Sequence, residues 1–153
     1  MADTLRSPLL LGAILAAGLQ AGTYYVWACA VMPALARADD RTFVAAITHV
    51  NQTIVNPVFM ASFLGAPVLA GAAVATSAPA ARPWTIAGLA LTLATVLVTV
   101  AGNVPLNNAL GASAADPTPA RAAFETAWVR WNILRTVTST AALAALGWAA
   151  LRT

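Results

Sequence analysis

Four long apolar stretches, residues 9–31, 55–77, 84–104 and 133–151, constrain this chain more than any other feature. Each approaches the ~20 residues that an α-helix needs to cross the hydrocarbon core of a bilayer. Only 8% of the residues are charged, 60% are hydrophobic and the mean hydropathy is +0.77. A soluble domain carries roughly a quarter of its residues as charges to keep its surface wet. With so few, the outer faces of the helices need lipid as their solvent. The sequence therefore predicts an all-α integral membrane protein, a four-helix transmembrane bundle forming a single domain over residues 1–153. Arg6 precedes the first stretch as it would in a signal peptide. The stretch nevertheless outruns the ~7–15 apolar residues of a signal core and is read as a retained span.

The net charge of +3 comes from scattered arginines, with no lysine and no basic run. Nucleic-acid binding would call for a clustered patch, so that class is set aside. Arginine without lysine in an alanine-rich chain points to a bacterial coding sequence, hence to an inner membrane. An even number of spans puts both termini and the short link (residues 78–83) on one side, and the long links (32–54 and 105–132) on the other. Arg6, Arg82 and Arg152 crowd the short segments, while Arg37, Arg41, Arg121, Arg130 and Arg135 are spread over the long ones; raw count favours the long side, density near the span ends the short one, and on density both termini are read as cytoplasmic.

The long links carry structure of their own. Asp39 or Asp40 suits a helix N-cap, and Phe43, Ile47, Val50 and Ile54 then form a narrow apolar stripe. This predicts an amphipathic helix in the 1–2 link, lying on the bundle or in the interface. Asn56-Pro57 opens the second span, because proline fits a first helical turn. Pro67 is expected to kink that span, and Pro105 to break the third.

Polar residues inside spans are costly and face the bundle interior. Thr92, Thr95, Thr99 and Asn103 share one face of the third span, and the threonines read as helix packing. Gln20 lies deep in the first span and needs a partner. Gly18 and Gly22 are spaced for close helix contact, within the bundle or between two copies of a homodimer. Ahead of the fourth span, Trp128, Trp131, Asn132 and Arg135 recur at i, i+3, i+4 and i+7, on one face. An aromatic belt explains Trp131, but a guanidinium among apolar neighbours wants an anionic or hydrogen-bonding partner. His49 either points to water or covers the mouth of the bundle; its unperturbed pKa alone suits general-base work near neutral pH. The single cysteine, Cys29, makes no internal disulfide, and no Cys/His cluster suits a structural zinc.

Val31-Met32-Pro33-Ala34-Leu35, Asp39-Asp40-Arg41-Thr42-Phe43, the tract from Asn51 to Asn56-Pro57, Asn103-Val104-Pro105-Leu106-Asn107 and Trp128-Val129-Arg130-Trp131-Asn132 resemble the anthrone oxygenase family of small four-span membrane proteins. Many bacterial members of that family are filed as a domain of unknown function. The resemblance covers nearly the whole chain. It implies oxidation of an anthrone to an anthraquinone by dioxygen, with a small aromatic or quinone-like molecule and membrane lipids as partners. No flavin or nicotinamide motif is present, so no cofactor is expected. Such chemistry asks for a base, donors for an oxyanion and a dry aromatic pocket. On residue type and position, His49 is the candidate base, and Arg135, Asn103, Asn107 and Asn132 are the candidate donors. Tyr24, Trp27, Asn51, Asn56, Trp128 and Trp131 are candidates for the pocket wall. Two other readings stand beside this one. One is a non-enzymatic module binding a lipid, a quinone or a partner protein. The other is a haem or metal oxidoreductase with His49 as ligand.

Overall fold

The computed structural model describes residues 2–152, with side chains from residue 5 onward. Helix α1 (Ala2–Val26) passes through a π turn (Trp27–Val31) into the short α2 (Met32–Leu35). Helix α3 (Asp40–Ile54) follows, then α4 (Pro57–Thr76) and α5 (Arg82–Val98). A second π turn (Thr99–Asn103) leads into α6 (Val104–Ala112), and α7 (Pro117–Ala150) closes the chain. Among the described residues four tracts are long and apolar enough to cross a membrane: Leu5–Leu35, Pro57–Thr76, Arg82–Ala112 and Pro117–Ala150. Going round the bundle, α1 packs on α4, α4 on α5, α5 on α7 and α7 on α1. Their outer faces carry exposed Leu11, Leu15, Leu19, Val68, Leu93, Leu97 and Val137, as lipid-facing helices do.

The first and third spans outrun the sequence reading, and the reason is the same in both. Pro33 and Pro105 each follow a π turn closely. A proline ring collides with the carbonyl four residues back, and in each span that carbonyl, of Cys29 or Ala101, lies within the widened turn. The wider turn makes room for the ring, so Pro105 does not break the helix as expected. It sits in the first turn of α6 instead. The two halves of the chain thus share a plan: a span, a π turn with a following proline, a short helix, and a return toward the opposite end.

The bundle has two apolar cores of different grain. At the end holding the termini, Ala13, Ala17, Ala70, Ala73 and Ala149 pack around Leu10 and Leu146. Small residues let the helix backbones approach closely where no hydrophobic driving force separates helix from lipid. A Cβ at Gly88 would come within 2.6 Å of the Leu146 side chain. Gly18 faces Leu143 of α7, whereas nothing stands within 4 Å of a Cβ placed at Gly22. At the other end Met32, Phe43, Val44, Ile47, Leu110, Phe124 and Trp128 form a bulkier core.

That second core docks α3 across the bundle. Asp39 caps α3 by accepting from the Thr42 amide at 3.0 Å and the Thr42 hydroxyl at 2.7 Å. Phe43, Val44 and Ile47 are buried at the start of α3, while Val50, 37% exposed, and Ile54 continue the same stripe along a cavity beneath the helix. Arg121 of α7 then ties the link down. Its guanidinium donates to the carbonyls of Ala38 at 2.8 Å and Ala36 at 3.1 Å, and pairs with Asp40 at 3.1 Å and Glu125 at 2.8 Å. The same group lies 4.5 Å from the centroid of the Phe43 ring.

Candidate functional site

Between the two cores runs a polar layer, and against it opens a cavity of ≈ 520 Å³ under α3. Its aromatic wall comes from Tyr24 and Trp27 on the first span, Phe59 and Phe63 on α4, and Trp128 on α7. Trp27 and Trp128 lie 5.4 Å apart with planes tilted by 59°, and Phe59 stacks on Phe63 at 5.8 Å. Both π turns contribute: Trp27 from the first, Thr99 and Val100 from the second. Such turns break helix periodicity and so re-aim side chains, which is why they recur at functional sites.

Arg135 supplies the charge. The residue is 8% exposed and lines the cavity. Its Nε donates to Asn132 Oδ1 at 3.0 Å, and Asn132 in turn donates to the carbonyl of Tyr24 at 3.2 Å. Cζ lies 4.3 Å from the centroid of the Tyr24 ring and 5.1 Å from that of Trp128, within reach of cation–π attraction. Among the described residues the terminal nitrogens find no hydrogen-bond partner, and neither is shut away as a buried orphan. Among the described residues no carboxylate pairs with this guanidinium. A cation held on one edge, with its other donors open to an aromatic cavity, is built to meet a carbonyl or an oxyanion.

The remaining polar layer is mostly self-satisfied. Gln20 finds the partners its depth demands: Nε2 donates to Ser62 Oγ at 2.8 Å, and Oε1 accepts from the Tyr24 hydroxyl at 2.5 Å. Thr92, Thr95 and Thr99 bond carbonyls of their own helix, and Thr95 also meets Thr138 at 2.8 Å. They pack the α5–α7 seam, as their spacing predicted, although Thr99 also reaches the cavity.

The structure sorts the candidate residues. Tyr24, Trp27, Asn51, Asn107, Trp128 and Arg135 line one cavity. Asn132 and Asn103 do not reach it. Asn132 orients Arg135, and Asn103, fully buried, donates to the Trp128 carbonyl at 3.4 Å. Asn56 is a helix cap: its Oδ1 accepts from the Val58 and Phe59 amides at 3.0 Å. Trp131 faces outward, 37% exposed, with its indole across Gly102, where any Cβ would run into the ring. The shared face of residues 128, 131, 132 and 135 is therefore split, because a four-position arc is wider than the cavity.

Of the two placements open to His49, the structure takes the outer one. It is exposed and lies outside the lining, which takes Thr48, Val50, Asn51, Gln52 and Ile54 from the same helix. At 100° per residue His49 lies well off the Phe43, Ile47, Val50 and Ile54 stripe, so the face that docks leaves it outside. A haem or metal held through it would sit outside the cavity, and among the described residues no three His, Cys, Asp or Glu side chains come together as a metal site. Phe59, Phe63 and Thr48 join the lining without having been singled out, and Thr23 joins it from the face of the first span that carries Gln20 and Trp27. Nothing in an all-apolar start to α4 distinguishes a phenylalanine facing a cavity from one facing lipid.

A membrane-spanning four-helix protein with an aromatic cavity and one interior guanidinium is the class that this geometry defines. Residues 47–145, more than half of the 153-residue chain, match the sequence model of the anthrone oxygenase family. The chain belongs to that family. No curated protein and no solved structure matches it.

Proposed function

We propose that the chain oxidises an anthrone-like or other electron-rich phenolic substrate to a quinone with dioxygen, in the cavity beneath α3. The observation that carries this reading is Arg135: a guanidinium inside a membrane bundle, with its terminal nitrogens facing an aromatic cavity. The central methylene of an anthrone is acidic because its anion is an aromatic phenolate. Arg135 stabilises that oxyanion where little water competes. The electron-rich ring lies against Trp27, Trp128 and Phe59. One electron passes from the anion to dioxygen, and the two radicals join as a C–O bond, giving a peroxide at the former methylene carbon. Protonation and loss of one water, with the remaining C–H proton, leave the second carbonyl. One dioxygen is consumed and one water released per quinone.

With His49 outside, water at the open mouth takes the first proton, and Arg135 lowers the energy of the anion that remains. Oxygen uptake by the purified protein in lipid, with an anthrone and the protein-free rate subtracted, tests the reading. Uptake that collapses in Arg135→Met supports it; a rate equal to the protein-free control rejects it.

One observation favours the second reading, a non-enzymatic module binding a quinone or lipid. The cavity lining contains no carboxylate and no imidazole to accept a proton. Saturable quinone binding without turnover would decide for it. We place the protein in a bacterial inner membrane with both termini cytoplasmic, supported by the arginine-only cationic composition and by Arg6, Arg82 and Arg152 at the terminal end.

A further inference from the structure

Asn107 carries a second, separate piece of recognition. Trp128 Nε1 donates to Asn107 Oδ1 at 2.8 Å. An indole nitrogen is a donor only, so this bond decides which end of the amide is which. The oxygen is committed to Trp128 and Nδ2 is left over. Among the described residues Nδ2 has no hydrogen-bond partner, and it is not among the buried orphan atoms. Asn107 lines the same cavity as Arg135. The two meet at a single indole: Arg135 stands over its face at 5.1 Å and Asn107 at its Nε1 edge. Each donor set is thus pinned on one side by the chain and left open on the other, Arg135 by Asn132 and Asn107 by Trp128.

We propose that the cavity recognises its ligand through two oxygens, one at the Arg135 guanidinium and one at Asn107 Nδ2. The substrate class is then a fused aromatic bearing a ring hydroxyl besides the oxygen that carries the anionic charge, and its ring edge runs along Trp128. This rests on the oxidation reading for the identity of the first oxygen, and it deepens that reading by naming the second. Arg135 senses charge; Asn107 senses where the ring is substituted. A site built to donate to an oxygen discriminates against the analogue lacking it, because the donor is then left unpaired.

The test measures binding of two quinones, a hydroxyanthraquinone and unsubstituted anthraquinone, by quenching of tryptophan fluorescence in lipid nanodiscs. Asn107→Leu removes the Nδ2 donor and places no charge in the Arg135 cavity. Wild type should prefer the hydroxylated ligand by about tenfold, and Asn107→Leu should abolish that preference. A preference unchanged in Asn107→Leu overturns the assignment. So does equal binding of both quinones by wild type, a comparison that needs no variant to fold. Binding with the predicted preference but no oxygen uptake would sink the oxidation reading and leave the two-oxygen site standing. Uptake without the preference would do the reverse.

Discussion

The Arg135 guanidinium carbon lies 4.3 Å from the centroid of the Tyr24 ring, while its Nε is tied to Asn132 at 3.0 Å. Among the described residues this charge is thus held by an aromatic face and an amide, not by a carboxylate. A carboxylate would neutralise the cation; a ring and an amide leave it free to meet a ligand oxygen. Arg135→Lys keeps the charge but loses the planar fork and the Nε bond. It should lower kcat/KM by ~10-fold or more, and Arg135→Met by ~10²–10³-fold. Thermal unfolding of Arg135→Met should shift little, since replacing a buried charge with an apolar chain of similar volume is often near neutral. Oxygen-uptake kinetics beside melting curves check both.

His49→Ala should leave oxygen uptake unchanged and stability within about 0.5 kcal/mol, as expected of an exposed side chain away from the site. A fall in rate with unchanged melting would restore His49 as the base.

Gly102→Ala should destabilise the fold by about 1–3 kcal/mol, because the added methyl meets the Trp131 ring across the α5–α7 seam. Gly22→Ala, where nothing stands within 4 Å, should be neutral or stabilising. Unfolding of the two variants in one detergent gives the comparison.

The Asp39 cap sets a pH dependence for the α3 cover. The Thr42 hydroxyl and then the Thr42 amide hold the Asp39 carboxyl below the usual carboxylate range. A depressed folded-state pKa gives stabilisation that is complete above the unfolded value, about 3.9, and is lost as pH falls through the folded one. The protection factors of the α3 amides should therefore be equal at pH 6 and pH 8, and fall below pH 4. Asp39→Ala should lower them at neutral pH and flatten the acid response.

Arg121→Gln should loosen the same cover by a different route. It removes the pair with Asp40 and the forked donation to the Ala36 and Ala38 carbonyls. Faster α3 exchange and weaker quinone binding should appear together; unchanged exchange would show that the bulkier core of Phe43, Ile47 and Phe124 alone holds the roof.

Much of the fold was legible because lipid leaves few options. A span must satisfy its own backbone, so length and apolarity in residues 55–77 suffice to announce α4. The Asp39 cap and the Asn56-Pro57 start were likewise local signals, each a side chain bonding an amide two or three residues on. The site was legible in part. Arg135 and Trp128 stood out because a guanidinium and an indole in an apolar helix need an explanation. His49 and Trp131 were indistinguishable from site residues by type alone, and their positions rest on how far a helix is rotated about its axis.

The sequence by itself determined four spans, a capped amphipathic helix between the first two, and a charge too deep to be a surface arginine. These follow from solvent and from hydrogen bonds within a few residues of each other. Only the tertiary structure decided that Pro105 lies in a continuous span, that α3 turns His49 outward, and that Asn107 and Arg135 meet at one indole. Those outcomes depend on contacts between helices, where a widened turn or a small rotation re-aims every side chain beyond it, and no local pattern records that rotation.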